Sequence, residues 1–98
     1  MPTTIVRYTT ADGRADENQQ LIEAVFEQLA SGQPDGLQYM SMRAGNDFIH
    51  VAVLPDDGPN PLAELPAFQA FTADIATRCS VPPNPQPGHI VGSYGIDR

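Results

Sequence analysis

The sequence predicts an α+β fold in which two helices cover one face of a four-stranded antiparallel sheet, in the order β-α-β-β-α-β. Three observations lead to this prediction. Apolar periodicity changes four times along the 98 residues, between the two-residue period of strands and the 3.6-residue period of helices. A Gly-Asn pair separates two β-prone runs, as in a tight hairpin. A segment rich in Gly or Pro follows each helical pattern, as expected where helices end.

The first two elements are a strand and an amphipathic helix. Residues Thr3–Thr10 are mostly β-branched or aromatic, which predicts a strand. After the Asp12-Gly13 turn, Asp16 is placed to cap a helix, with Gln19 at capping-box spacing. The apolar face of this helix repeats at i, i+3, i+4 and i+7. Its members are Ile22, Val25, Phe26 and Leu29. The segment Ser31–Pro34 ends the helix.

Residues 36–43 and 48–54 are predicted to form a hairpin around a two-residue loop, Gly45-Asn46. This loop pairs Ser41 with His50. Side chains alternate across a sheet, so one face of the hairpin is entirely aliphatic, and we expect it beneath the helices. That face comprises Met40, Met42, Ile49, Val51 and Val53. The helix-free face then carries Leu37, Tyr39, Ser41, Arg43, Phe48, His50, Ala52 and Leu54.

The second half of the chain supplies the remaining elements. Asn60 is placed to cap a turn at Pro61–Glu64, and a second helix is predicted to begin at Pro66. The apolar stripe of this helix comprises Phe68, Phe71, Thr72, Ile75 and Cys79. Residues 80–87 are predicted to be a proline-stiffened connector, and residues 89–94 the last strand. This order is the ferredoxin-like pattern, and it predicts a single domain over residues 1–98.

The helix-free face bears on assembly and on function. Its apolar area is too large for the surface of a monomer, so we expect a homodimer that packs sheet against sheet. His50, Tyr39 and Arg43 form a polar cluster on this face. A histidine beside a guanidinium can act as a neutral base, which makes these three residues catalytic candidates. The interpretation we favour is that they serve the dimer interface. For Arg7, also within a strand, we expect an acidic partner across the dimer.

Composition excludes several classes of function. The chain has 12 acidic residues and five Arg without any Lys, a net charge of −7, which argues against nucleic acid and anionic membranes as partners. The longest apolar run, Val51–Leu54, is too short for a membrane span, and no signal peptide is visible. The single cysteine, Cys79, excludes an internal disulfide framework. We therefore expect a cytoplasmic protein. No metal or cofactor motif is present, so none is predicted.

The space between helices and sheet is the remaining candidate site. Its predicted walls are Val25, Phe26, Leu29, Met40, Met42, Phe68, Phe71 and Ile75. Two Met and several Phe would suit a flat apolar ligand, and they would equally suit a packed core. The polar helix residues near this space are Asn18, Gln28 and Thr72. Cys79 continues an apolar stripe and is expected to be an inert thiol, whereas His89 is expected at the solvent edge.

Several segments resemble one superfamily. They are the strand and helix of residues 3–30, the Pro-Asp-Gly-Leu segment (34–37), the Phe-Ile-His-Val strand (48–51) and the Val-Gly-Ser-Tyr segment (91–94). Together they resemble small proteins of the antibiotic-biosynthesis-monooxygenase-like, dimeric α/β-barrel superfamily. The resemblance implies a dimeric barrel. It also implies a range of activities: cofactor-independent quinone-forming monooxygenases, haem-degrading enzymes, lactone isomerases and proteins without known activity.

Two hypotheses about function follow. The first is a homodimeric binding or interaction module that holds a small apolar ligand. The second is a cofactor-independent monooxygenase or isomerase acting on an aromatic or quinone-like metabolite, with Tyr39, Arg43 and His50 as its polar residues. The resembled oxygenases use a Trp with Asn and Arg around the substrate, and the haem degraders use a helix His. This chain has no Trp, and both of its histidines lie on predicted strands.

Overall fold

A computed structural model describes residues 2–95; residue 1 and residues 96–98 of the predicted 1–98 domain lie outside the described residues. The elements are β1 (Thr3–Thr10), α1 (Ala15–Gly32), β2 (Gln38–Ala44), β3 (Asp47–Val53), α2 (Pro66–Ala73), α3 (Ile75–Arg78) and β4 (Cys79–Gly88). All strand pairs are antiparallel, and the strand order is β2-β3-β1-β4. The predicted ferredoxin-like fold class is therefore confirmed.

The predicted pairing of the hairpin is also confirmed. Gly45 and Asn46 form the loop between β2 and β3, and Ser41 lies opposite His50 across the ladder. The φ of Gly45 is +64°, a value that glycine adopts without steric strain.

The prediction of which hairpin face lies beneath the helices is wrong. Phe48 and His50 are buried, each 4% exposed, whereas Met40 and Met42 are 40% and 54% exposed. The mixed face faces the helices, which cover Phe48 and His50 and supply Asp16 and Gln19 as partners for Arg43. Apolar content alone does not decide between two faces that can each be buried. The aliphatic face is the helix-free one in this chain.

The last strand lies earlier in the chain than predicted. The proline-rich segment forms β4, and residues 89–94, predicted as the strand, are exposed and outside regular structure. β4 is an edge strand, where proline is tolerated. Pro83, Pro85 and Pro87 occupy every second position of β4. Their backbone nitrogens, which carry no hydrogen, can therefore all face the open edge of the sheet. The ladder with β1 is then left to the residues between them.

The first helix agrees with the prediction except at its N-cap, whereas the second predicted helix is divided and Cys79, expected on it, begins β4. The N-cap of α1 is Arg14, without a side-chain capping bond, so the predicted cap at Asp16 is wrong. α2 begins at Pro66 as predicted, and the Oδ1 of Asn60 accepts a 2.9 Å hydrogen bond from the Leu62 N–H in the preceding turn. The second helical segment is interrupted at Asp74, so α2 and α3 are separate.

Across residues 2–95, each helix is too short or too polar to cross a bilayer.

Candidate functional site

A cavity of about 270 Å³ lies between the helices and the sheet. Its apolar walls include Val6, Ala52, Leu54, Leu62, Phe68, Phe71 and Ile75. Tyr8, Tyr39 and His50 also line it, and Asn60, Thr72 and Pro85 are exposed at its rim. Among the predicted wall residues, Phe68, Phe71 and Ile75 are confirmed. Met40 and Met42 are wrong, because they point to the helix-free face, and Val25, Phe26 and Leu29 pack in or against the core without lining the cavity.

His50 is the centre of the polar groups at this cavity. Its Nε2 lies 2.8 Å from the Tyr8 hydroxyl oxygen, and its Nδ1 lies 2.8 Å from the Tyr39 hydroxyl and 2.7 Å from the Ser41 hydroxyl. Three strands place these groups: Tyr8 is on β1, Tyr39 and Ser41 are on β2, and His50 is on β3. The rings of Tyr8 and Tyr39 stack against the imidazole from either side, with centroids 5.4 and 5.9 Å away.

Residues of α1 and α3 extend this hydrogen-bond network beyond Tyr8. The Nδ2 of Asn18 on α1 donates a 2.9 Å hydrogen bond to the Tyr8 hydroxyl, and its Oδ1 accepts a 3.0 Å bond from the Nε of Arg78 on α3. Arg78 also donates a 2.6 Å bond to the Phe71 carbonyl oxygen, and its guanidinium lies 5.5 Å from the Phe71 ring centroid. Asn18 is fully buried, and Arg78 is 2% exposed. None of the described carboxylates forms an ion pair with Arg78.

Burial shifts the titration of the aromatic groups. It lowers the pKa of His50 to about 4, because the charged imidazolium is disfavoured away from water. Burial raises the pKa of Tyr8, against an opposing hydrogen bond from Asn18. It also raises the pKa of Tyr39, against an opposing effect of the Ser41 hydroxyl. At neutral pH the cavity therefore presents a neutral imidazole and two protonated phenols.

The structure brings two of the three predicted catalytic residues together. Tyr39 and His50 both line the cavity, so their predicted location on a helix-free interface is wrong. Arg43 lies apart from the cavity. It forms a 2.9 Å ion pair with Asp16 and a 2.6 Å hydrogen bond to the Oε1 of Gln19. Arg43 therefore joins the end of β2 to the first turns of α1.

Other polar residues singled out in the sequence have structural roles or stand at the surface. Gln28 accepts a 3.0 Å hydrogen bond from the Ala67 N–H at the start of α2. Burial raises the pKa of Cys79, with an opposing effect of Arg78, which agrees with an unreactive thiol. Arg7 and His89 are exposed. Within residues 2–95, no group of three or more His, Cys, Asp or Glu is arranged to hold a metal ion.

The sequence interpretation missed Tyr8 and Arg78 and gave Asn18 little weight. Both helix residues carried a usable signal, because each stands on the apolar stripe of a helix. Asn18 precedes Ile22 by one turn, and Arg78 follows Ile75 at i+3. A polar side chain at a stripe position is buried when the helix packs, and it then needs hydrogen-bond partners.

Known structures share this fold. One is a protein of unknown function from Nitrosomonas europaea, which is 19% identical at a TM-score of 0.67, with 99% of this chain and 95% of that chain covered. Another, from the same organism and provisionally described as an antibiotic biosynthesis monooxygenase, is 13% identical at a TM-score of 0.71, with 94% and 100% covered. A mutant of SnoaB, a cofactor-independent oxygenase from Streptomyces nogalater, is 16% identical at a TM-score of 0.67, with 96% of each chain covered.

These likenesses concern the fold. No protein-family model matches the sequence, and no curated protein is detectably similar to it. The resemblance to the antibiotic-biosynthesis-monooxygenase-like proteins is thus confirmed at the level of architecture, and the activity of this chain is undetermined.

Proposed function

We propose that this protein binds a small, flat and largely apolar molecule in the cavity between its helices and its sheet. The observation that carries the proposal is an apolar cavity of about 270 Å³ with a hydrogen-bonded, neutral His50 on its wall. Sites for small molecules are concave and mostly apolar with a few placed polar groups, and they typically enclose roughly 300–1,000 Å³. A cavity slightly below this range suits a ligand of two or three fused rings.

Fluorenone, a flat three-ring ketone, is a suitable probe for this proposal. We expect calorimetry to show saturable binding to the wild type. NMR should show chemical-shift changes at the residues that line the cavity. Ala52→Leu adds bulk at the cavity wall and should abolish binding. Ala70→Leu is the matched control, since Ala70 is exposed on α2, and it should bind as the wild type does. Equal binding by both variants would place the ligand elsewhere and contradict the proposal.

A second candidate function is a cofactor-independent oxygenase that acts on an aromatic or quinone-like substrate. The position of His50 favours it, because a neutral imidazole lies beside the cavity and is hydrogen-bonded to Tyr8. In a relay of this kind the Tyr8 oxygen takes a proton from an acidic C–H of the substrate, while the Tyr8 proton passes to Nε2 of His50. The resulting carbanion can then react with dioxygen.

Anthrone tests the oxygenase candidate, since its methylene is acidic and its oxidation is balanced without a cofactor. One anthrone and one dioxygen give one anthraquinone and one water. Oxygen uptake and quinone absorbance should rise together with the wild type, and His50→Gln should lose the turnover while still binding fluorenone. Turnover that is unchanged in His50→Gln would remove His50 from the chemistry.

We also propose that the protein is a homodimer that packs through the helix-free face of its sheet. The apolar side chains of this face, referred to below as the aliphatic face, are those of Ile5, Met40, Met42, Ile49, Val51 and Val81, and Arg7 lies on the same side of the sheet. The exposure of Met42 and Val81, 54% each, supports the proposal, because exposed apolar patches of this kind mark association surfaces. The proposal keeps the predicted mode of packing and replaces the predicted residues.

A further inference from the structure

An unbroken series of hydrogen bonds runs from Arg78 through Asn18, Tyr8 and His50 to Tyr39, and we name it the Arg78–Tyr39 relay. Its first members are buried: Asn18 fully, whereas Arg78 is 2% exposed. Its last member, Tyr39, lines the cavity. Ser41 lies beside this last member, with its hydroxyl 2.7 Å from Nδ1 of His50. The relay therefore connects a buried cation to the wall of the proposed ligand site.

Arg78 determines the direction of the first bonds in the relay. A guanidinium has only donors, so the oxygen of the Asn18 amide must face Arg78 and its NH₂ group must face Tyr8. The Tyr8 oxygen thus accepts from Asn18. Its own proton is left for its other hydrogen-bond partner in the described structure, Nε2 of His50. In this arrangement Nε2 is unprotonated and accepts.

The other side of the imidazole leads to the same assignment. Two hydroxyl oxygens, those of Tyr39 and Ser41, lie 2.8 and 2.7 Å from Nδ1. An unprotonated Nδ1 has one lone pair, which accepts a hydrogen bond from one hydroxyl. The second hydroxyl oxygen would then lie against Nδ1 with no proton between the two atoms. A protonated Nδ1 can share its N–H between both oxygens. Neutral His50 therefore carries its proton on Nδ1.

With Nδ1–H as the donor, the hydroxyl protons of Tyr39 and Ser41 are released for other partners. Ser41 is not among the residues that line the cavity, whereas Tyr39 is. The proton at the end of the series is thus that of Tyr39. It is a donor at the edge of a mostly apolar cavity, and an unpartnered donor in such a place favours a ligand that brings an acceptor.

We infer that Arg78 and Asn18 are positioning residues that hold His50 in its Nδ1–H tautomer, so that Tyr39 offers a proton to the cavity and selects flat ligands carrying a carbonyl or phenolate oxygen. The choice of ligand rests on the proposed function. The tautomer does not, because it follows from hydrogen bonds within the chain. The two parts are therefore tested separately.

The tautomer is measured first, on the protein without ligand, by long-range ¹⁵N–¹H correlation of the histidine rings. His89→Gln identifies the signals of His50. The wild type should show a protonated Nδ1. Asn18→Asp keeps the size of the side chain and its bond to Arg78, but a carboxylate only accepts, so the Tyr8 proton turns toward it and the Tyr8 oxygen accepts from His50 instead. This variant should show a protonated Nε2.

Gln20→Glu is the matched control, because it adds the same charge at an exposed position of the same helix and should leave the tautomer unchanged. A wild-type ring protonated on Nε2 would overturn the relay, whatever the protein binds. This measurement needs no variant, so the inference remains testable even if Asn18→Asp does not fold. An unchanged tautomer in folded Asn18→Asp would equally overturn it.

The ligand part is tested with fluorenone and fluorene, which share a ring system and differ by the carbonyl oxygen. The wild type should bind fluorenone roughly fivefold more tightly than fluorene, the effect of one neutral hydrogen bond. Tyr39→Phe and Asn18→Asp should both remove this preference. Equal affinities in the wild type would overturn the selection while the proposed cavity stands. Binding of neither compound would overturn the proposed function and the selection together, with the tautomer decided independently by NMR.

Discussion

Tyr8 and His50 lie diagonally across the β1–β3 ladder, with ring centroids 5.4 Å apart and the Tyr8 hydroxyl oxygen 2.8 Å from Nε2 of His50. The ladder places Val6 opposite His50 and Tyr8 opposite Phe48, so the backbone register alone brings the phenol and the imidazole together. Helix packing is needed only to bring Asn18 to the Tyr8 hydroxyl and Arg78 to Asn18. The core of the candidate site is thus built into the sheet, and the helices determine its polarity.

His50 should make stability depend on pH below neutrality. Its pKa is about 4 in the folded chain and about 6.5 in an unfolded one. Between these values the unfolded chain binds a proton that the folded chain does not, so the free energy of unfolding falls as the pH is lowered. The expected loss from pH 6.5 to pH 4 is about 3 kcal/mol.

Urea unfolding at a series of pH values measures this loss. His50→Gln should remove that part of the pH dependence, whereas His89→Gln should retain it, because His89 is exposed. Identical pH profiles for the wild type and His50→Gln would show that His50 titrates alike in both states.

Phe71 should contribute more to stability than Phe68. Phe71 is 4% exposed and belongs to the core, whereas Phe68 is only partly buried against it. Phe71→Ala is expected to lower the free energy of unfolding by about 3–5 kcal/mol, the usual range for a buried phenylalanine. Phe68→Ala should cost less, because the site is open to the cavity. Denaturant unfolding of the two variants compares them, and a larger loss at Phe68 would contradict this packing.

The aliphatic face should hold two protomers together. Met42→Glu places a charge at the exposed end of this face and should convert the protein to a monomer of 10.6 kDa, from a dimer of twice 10.6, or 21.2 kDa. Light scattering coupled to gel filtration measures the mass. Ala70→Glu, on the exposed side of α2, should leave the dimer intact. A wild-type mass of 10.6 kDa at micromolar concentration would refute the homodimer.

Gly36 should be harder to replace than Gly13. Both have left-handed backbone angles, with φ of +76° and +82°. An alanine at either position therefore costs about 1–2 kcal/mol. A Cβ at Gly36 would also lie 3.1 Å from the Cβ of Pro55, whereas nothing lies within 4 Å at Gly13. Gly36→Ala is expected to lower the melting temperature further than Gly13→Ala, and equal shifts would show that the Pro55 contact relaxes freely.

Local patterns in the sequence predicted the order of elements along the chain, the first helix and the pairing of Ser41 with His50. These features depend on periodicity and on the Gly45-Asn46 loop, which act over short distances. Which face of the hairpin lies beneath the helices could not be predicted in the same way. Both faces are apolar enough to be buried, and the choice depends on partners far away in the chain, such as Tyr8 for His50 and Asp16 for Arg43.

In the candidate site, too, contacts between neighbouring strands could be predicted, whereas contacts with distant segments could not. Tyr39 and His50 were identified as a pair because they lie on neighbouring strands, and the structure confirms their proximity. Arg43 was grouped with them by register, but it reaches Asp16 and Gln19 in the first turns of α1 instead. The strand formed by the prolines was missed because propensity disfavours proline in sheets, whereas position at an edge permits it.

The alternating prolines of β4 also affect how the protein behaves when it is concentrated. Sheets grow from molecule to molecule when a strand of one chain pairs with an open edge of the next, and a fibril needs two usable edges in each molecule. Of the two edge strands in the described residues, β4 has lost N–H donors at Pro83, Pro85 and Pro87, and β2 keeps its own. Strand addition at β2 would therefore end after one step, and β4 protects the protein against fibrillar aggregation.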